Sequence, residues 1–125
     1  MKTSNFFSYT GPGRISIARF APRGTAKGFR VFRGLAPGTW FNSVPHETYL
    51  KLYANEILAK LDPRETWDTL HEMAAGAEPV LLCWEKPAEV NSGKVFCHRR
   101  QVAAWFEERL GVVVPEFTLD EQPRS

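Results

Sequence analysis

The sequence predicts a compact single-domain α/β fold, with a small, mostly parallel sheet flanked by helices. Three observations carry that expectation. Residues 80 to 84, VLLCW, form an unbroken apolar run between Pro79 and the polar pair Glu85-Lys86, the pattern of a strand buried on both faces. Residues 15 to 20, ISIARF, alternate and are partly β-branched, as a half-buried strand requires. Segments between and after these two place apolar residues at helical spacing. Strand, helices, strand, helix and a last extended piece, in that order, make a parallel sheet with crossover helices.

The elements follow in order. Pro12-Gly13 punctuates before ISIARF, and Pro22, Gly24 and Gly28 punctuate after it. The segment GFRVFRGLAP, 28 to 37, holds a short extended piece around Phe29 to Phe32, then an irregular Gly/Pro-rich turn. A helix is expected from about Val44, with Ser43 as N-cap and Pro45 in the first turn, where its missing N–H costs nothing. Leu50, Tyr53, Ile57, Leu58 and Leu61 fall on one face of it. Asp62-Pro63-Arg64-Glu65 then starts a second helix with a D-x-x-E capping box and Pro at N1. Its apolar face is Trp67, Leu70, Met73 and Ala74, and Gly76 is the expected stop. From about His98, the spacing of Val102, Ala103, Phe106 and Leu110 predicts a third helix, ended by Gly111. Val112 to Val114 is either a last short strand or an extended cover, closed by Pro115. Residues 1 to 125 read as one domain, with a frayed tail over 118 to 125.

Composition narrows the class. At 125 residues, 43% hydrophobic and 24% charged, the chain suits one globular domain with a single core. No apolar run approaches the roughly 20 residues of a membrane span. The opening MKTSNFFSYTGPGR lacks the apolar stretch of a signal peptide, so the expected location is the cytoplasm. In a reducing compartment the two cysteines, Cys83 and Cys97, are expected as free thiols, with their pairing geometrically possible.

Charge is unevenly spread. Lys2, Arg14, Arg19, Arg23, Lys27, Arg30 and Arg33 lie in the first 46 residues, which contain no Asp or Glu; the first acid is Glu47. The remaining residues hold nine basic and fourteen acidic side chains. Two explanations stand. The basic third faces an anionic partner such as phosphate, nucleotide or nucleic acid, or its cations pair with the acidic helices of the same fold. Arginine suits both, because its fork fits phosphate and carboxylate equally. Aromatic content is 13%, with Phe6, Phe7 and Tyr9 inside the basic region and Trp40 and Phe41 after it. Such residues serve as stacking platforms for bases or as core and cover.

The candidate site is the turn from the buried strand into the third helix. In open α/β sheets, ligands sit beyond the carboxyl ends of the strands, and a helix N-terminus binds anions. There the sequence places Cys97, His98, Arg99 and Arg100. Cys97 is the candidate nucleophile, since a positive helix end lowers a thiol pKa; it also suits a small packing residue. His98 is the candidate acid/base, phosphate donor or cap. Arg99 is the candidate phosphate clamp, with Arg100 one position on and so facing elsewhere. Glu85, at the strand exit, is a candidate acid/base or orienting carboxylate. Arg19, Cys83 and Lys86 complete the expected substrate contacts. No metal or cofactor is expected: Cys97 and His98 are adjacent, and no paired ligand hook exists. The GPG at 11 to 13 lacks the spacing and the Lys of phosphate-binding Gly loops.

These residues resemble the family of the domain of unknown function 488, in which a buried strand ending LLC-x-E-K precedes a C-H-R helix start. The matching positions are Leu81, Leu82, Cys83, Glu85, Lys86, Pro87, Cys97, His98 and Arg99. Ile15 to Arg19, Phe32 to Pro37 and Leu58 to Pro63 are similar as well, so the resemblance spans most of residues 14 to 115. The stretch between Pro87 and Cys97 is several residues longer than the usual form, which bears on the geometry around Cys97, with Asn91 and Lys94 as possible additions to the site. The resemblance implies an α/β fold centred on the C-H-R turn, and no reaction. The functional expectation is an enzyme or ligand-binding protein acting on a phosphate-bearing substrate, a nucleotide or nucleic acid, at that turn. The alternative is a non-catalytic nucleic-acid-binding module that uses the basic N-terminal third.

Overall fold

The computed structural model of the chain describes residues 1–24, 27–41, 43–84 and 98–117. It is a small α/β domain. Four strands, β1 (Lys2–Asn5), β2 (Arg14–Ser16), β3 (Arg30–Val31) and β4 (Val80–Cys83), form one sheet in the order β1-β4-β2-β3. Every pairing is parallel. Among the described residues three α-helices accompany it: α1 (His46–Leu52), α2 (Pro63–Met73) and α3 (His98–Leu110).

The apolar run at 80–83 becomes an inner strand, all four residues buried. Leu81 stands in register with Thr3 on one side and Ile15 on the other. Leu81, Ile15 and Ile17 pack with Tyr49 of α1, Leu70 of α2 and Val102, Ala103 and Phe106 of α3 in the main core. Val80 and Leu82 point the other way and cluster with Phe6 and Ala18, beneath Tyr9 and Phe29. Among the described residues, then, the helices gather on one face of the sheet and loop aromatics cover the other.

The first strand is not the one the sequence predicts. KTSN offers no apolar alternation, yet Thr3, Ser4 and Asn5 are fully buried beside β4. Polar contacts compensate for the burial of Thr3 and Asn5, while Ser4 Oγ makes no hydrogen bond among the described residues. Asn5 Oδ1 accepts the backbone N–H groups of Phe7 and Ser8, each at 2.9 Å, and its Nδ2 donates to Ser8 Oγ. The chain then returns to β2 through Gly13, whose φ is +79. The Gly13 carbonyl accepts the Val80 N–H at 2.8 Å. A Cβ there would stand 2.0 Å from the Glu78 carbonyl oxygen, so β2 and β4 can join at this point only through glycine.

Helix starts and stops follow the expected chemistry with two corrections. At α2, Asp62 is the N-cap and its Oδ1 accepts the Glu65 N–H at 2.9 Å, with Pro63 at N1. At α1 the cap is Pro45, without a side-chain cap bond, while Ser43 Oγ donates to the Trp40 carbonyl. The second correction is at Leu50, which is 40% exposed while Tyr49 is buried in its place; Tyr53 and Leu58 are buried, and Ile57 and Leu61 pack against the core, as the spacing predicts. A π-helical turn at Tyr53–Ile57, followed by a 3-10 turn at Leu58–Lys60, adds a residue per turn and shifts the face that uniform helical spacing assigns. After α3, Gly111 takes a φ of +67 and its N–H closes on the Glu107 carbonyl. The valine run is an extended cover: Val114 is buried, Val113 is 78% exposed, and Glu116 makes one parallel bridge to Thr3. No helix among the described residues is long and apolar enough to cross a membrane.

Candidate functional site

Three consecutive side chains at the start of α3 point into the protein. Arg99 is completely buried. Its Nε donates to Glu116 Oε1 and Oε2 at 3.0 and 3.1 Å, and its Nη2 donates to Oε2 at 2.8 Å. Its remaining edge, Nη1, donates to Cys83 Sγ at 3.1 Å. Arg100 was expected to face elsewhere, but its long stem folds back to the sheet, and Nη1 donates to Thr3 Oγ1 and to the Val114 carbonyl. Thr3 Oγ1 in turn donates to Glu116 Oε1 at 2.6 Å. The result is a closed polar cluster joining β1, β4, α3 and the extended cover.

His98 is 5% exposed. Its Nε2 lies 2.6 Å from the Ile17 carbonyl at the end of β2. A carbonyl can only accept, so Nε2 carries the hydrogen. Burial, opposed by the Ile17 bond and assisted by the Arg99 charge, lowers the pKa to about 4. The ring is therefore neutral at pH 7, with the lone pair on Nδ1. It tilts against Tyr53 at 5.2 Å between centroids. Burial, and then the neighbouring Tyr49, raise the Tyr53 pKa, which keeps its hydroxyl a donor to the Leu35 carbonyl at 2.6 Å.

Cys83 corrects the free-thiol expectation: it is disulfide-bonded, and the sequence contains one other cysteine, Cys97. The expectation rested on the low cysteine count and on the expected reducing compartment, neither of which bears on whether the fold leaves Cys83 free to pair. Cys97, Glu85 and Lys86 lie outside the described residues, as does the tail from 118 onward.

A second feature lies at the carboxyl ends of β2 and β4. Phe20 is 63% exposed and Trp84 45%; the Trp84 indole N–H donates to the Phe20 carbonyl, so the two residues are tied together. The Arg19 guanidinium lies 5.6 Å from the Phe20 ring centroid, and its Nη1 makes only a long bond to the Pro37 carbonyl. Arg19 thus groups with the aromatics rather than with His98 and Arg99. On the segment around β3, Arg23, Lys27, Arg30 and Arg33 are exposed. Among the described residues none of the four forms an ion pair. Lys27 sits beside Arg14 at the start of β2, because Arg14 Nη2 donates to the Lys27 carbonyl; Arg33 follows the end of β3.

Of the predicted site residues the fold brings together Cys83, Arg99 and, through Glu116 and Thr3, Arg100. Sequence reasoning missed Thr3 and Glu116. Glu116 carried one usable signal: an acid directly after the apolar VVVP segment needs a partner if that segment covers the core. Among the described residues no group of three His, Cys, Asp or Glu side chains is arranged to hold a metal ion. No protein-family model, curated protein or solved structure matches the chain.

Proposed function

We propose that the chain binds a phosphate-bearing ligand, with a nucleic acid strand as the form that fits best, along the β3 edge and the carboxyl end of the sheet. One observation carries the reading: four exposed cations, Arg23, Lys27, Arg30 and Arg33, none of them in an ion pair among the described residues, together with exposed Phe20 and Trp84 rings tied to each other at the carboxyl ends of β2 and β4. Cations track a phosphate backbone and aromatic faces stack on bases without regard to sequence. The alternative use of these cations, pairing with the acidic helices, finds no example among the described residues. Arg19 adds a charge beside the stacking surface. Membership in the family of the domain of unknown function 488 and a cytoplasmic location belong to the same proposal.

A second reading places a reaction at the C-H-R turn, with Cys97 as nucleophile, His98 as acid/base and Glu85 as orienting carboxylate. The observation behind it is the unprotonated Nδ1 of His98, which suits accepting a proton. Against it, Arg99 is engaged by Glu116 and Cys83 and cannot clamp a phosphate without breaking that fork. The nucleic-acid reading is therefore the stronger.

The test is fluorescence anisotropy with labelled single-stranded and duplex DNA and RNA across a salt series. Single strands should bind best, with log affinity falling linearly in log salt by roughly 0.7 per phosphate contact. Arg30→Glu with Arg33→Glu should weaken binding and flatten that slope, while Phe20→Ala should weaken binding and leave the slope unchanged. Absence of binding at low salt, or a salt-independent affinity, would overturn the proposal.

A further inference from the structure

We propose that Arg19 makes the aromatic surface at the end of β2 select guanine over adenine, by donating paired hydrogen bonds to the O6 and N7 atoms of a base stacked on Phe20. The inference rests on the single-strand binding proposed above and names which purine that surface takes.

The chain bends over residues 18–20 as it leaves β2, so neighbouring side chains there need not alternate between opposite faces as they do along a strand. Arg19 Cζ lies 5.6 Å from the Phe20 ring centroid. That is beyond the roughly 3.5–4.0 Å of direct face contact, so the guanidinium stands beside the ring without capping it, and Phe20 is 63% exposed. Two contacts fix the ring in place. Phe41 meets it edge-to-face, with centroids 6.4 Å apart and planes at 61°, and the Trp84 indole N–H donates to the Phe20 carbonyl.

The polar chemistry around this ring is one-sided. Indole has a single donor, and Trp84 gives it to Phe20, so a base meets only the apolar face of that side chain. The Phe20 and Pro37 carbonyls each already accept a bond. Arg19 carries five N–H donors and no acceptor. Among the described residues it uses one donor, in a 3.4 Å bond from Nη1 to the Pro37 carbonyl, and no carboxylate pairs with it. Most of its fork therefore faces outward beside an open stacking surface.

A group that can only donate reads a base by its acceptors. Guanine presents O6 and N7 side by side, whereas adenine presents N7 beside the N6 amino donor. Stacking itself does not separate the two purines, because every base has a π-face. The rigid guanidinium fork spans O6 and N7 together. Against adenine the same fork gains one bond and sets a second N–H against the amino group.

Fluorescence anisotropy of the full chain with labelled oligothymidylates tests the preference, each strand carrying one central guanine, hypoxanthine, adenine or 7-deazaguanine. Hypoxanthine keeps O6 and N7, while 7-deazaguanine keeps O6 and lacks N7. The guanine and hypoxanthine strands should bind about fivefold or more tighter than the adenine and 7-deazaguanine strands. Arg19→Lys keeps the charge but replaces the fork with a point donor, and should erase the difference. Equal affinities for guanine and adenine, equal affinities for guanine and 7-deazaguanine, or a preference that persists in Arg19→Lys would overturn the inference and leave single-strand binding standing. If no strand binds at low salt, the binding proposal falls and this one with it. If circular dichroism shows Arg19→Lys unfolded, the four strands on the parent protein decide alone: a preference that needs N7 supports the assignment, and any other order sinks it.

Discussion

Arg99 and Glu116, 17 positions apart, form a forked ion pair in which the guanidinium is wholly buried and the carboxylate side chain is 18% exposed. The pair ties the first turn of α3 to the chain that follows it, and through Thr3 to the polar strand β1. Breaking a buried pair from one side leaves an uncompensated charge, so Glu116→Ala should cost about 3 kcal/mol. Replacing both residues with apolar ones of similar volume should cost less than the single change, for the same reason. Urea unfolding of the two singles and the double measures the coupling. Strictly additive losses would mean that the fork contributes nothing beyond packing.

His98 makes stability depend on pH with a definite sign. The unfolded imidazole takes up a proton near 6.5, whereas the folded one does so only near about 4. Between those values the unfolded state binds more protons, so stability is full above pH 6.5 and is lost as pH falls toward 4. The slope approaches about 1.4 kcal/mol per pH unit. His98→Gln, whose amide can still donate to the Ile17 carbonyl, should flatten the fall between pH 7 and pH 5. Parallel stability profiles for parent and variant would remove His98 as the cause.

How far the fold was legible depends on how local its causes are. The inner strand at 80–83 and the start of α2 were readable because an unbroken apolar run and an Asp-Pro-x-Glu cap act within a few residues. β1 was not, since Thr3 is matched by Arg100 and Glu116, 97 and 113 positions away. On α1 only Leu50 was misplaced, with Tyr49 buried in its stead, because a π turn at Tyr53–Ile57 breaks the 3.6-residue period on which the pattern depends. At the candidate site, residue types drew attention to the C-H-R turn, but the partners that decide what Arg99 can do come from β4 and from beyond α3. The exposed cations were visible as composition; that none of them forms an ion pair among the described residues is a tertiary fact.

Gly13 and Gly24 separate backbone conformation from close approach. Both take positive φ, +79 and +75, but a Cβ on Gly13 would meet the Glu78 carbonyl at 2.0 Å, whereas one on Gly24 would meet nothing within 4 Å. Gly24→Ala should therefore lose only the left-handed penalty, about 1 to 2 kcal/mol. Gly13→Ala should lose that and the β2–β4 junction as well, and so be destabilised clearly further. Thermal unfolding of both variants makes the comparison. Equal losses would show that the strands can part at Gly13 without cost.

Tyr53→Phe isolates the buried hydroxyl from the ring that carries it. Phenylalanine fills the same space against His98 and Tyr49, so the ring contacts at 5.2 and 6.1 Å persist. Only the 2.6 Å bond to the Leu35 carbonyl disappears. Because Leu35 is itself buried, its carbonyl cannot readily turn to water, and the loss should be about 1 to 3 kcal/mol. The pH dependence assigned to His98 should not change, since that ring keeps its Ile17 bond and its burial. Chemical unfolding at pH 7 and pH 5 reads both quantities at once. A neutral substitution would mean that the hydroxyl bond contributes no net stability, and an altered pH slope would mean that the Tyr53 hydroxyl helps to hold His98 in its neutral state.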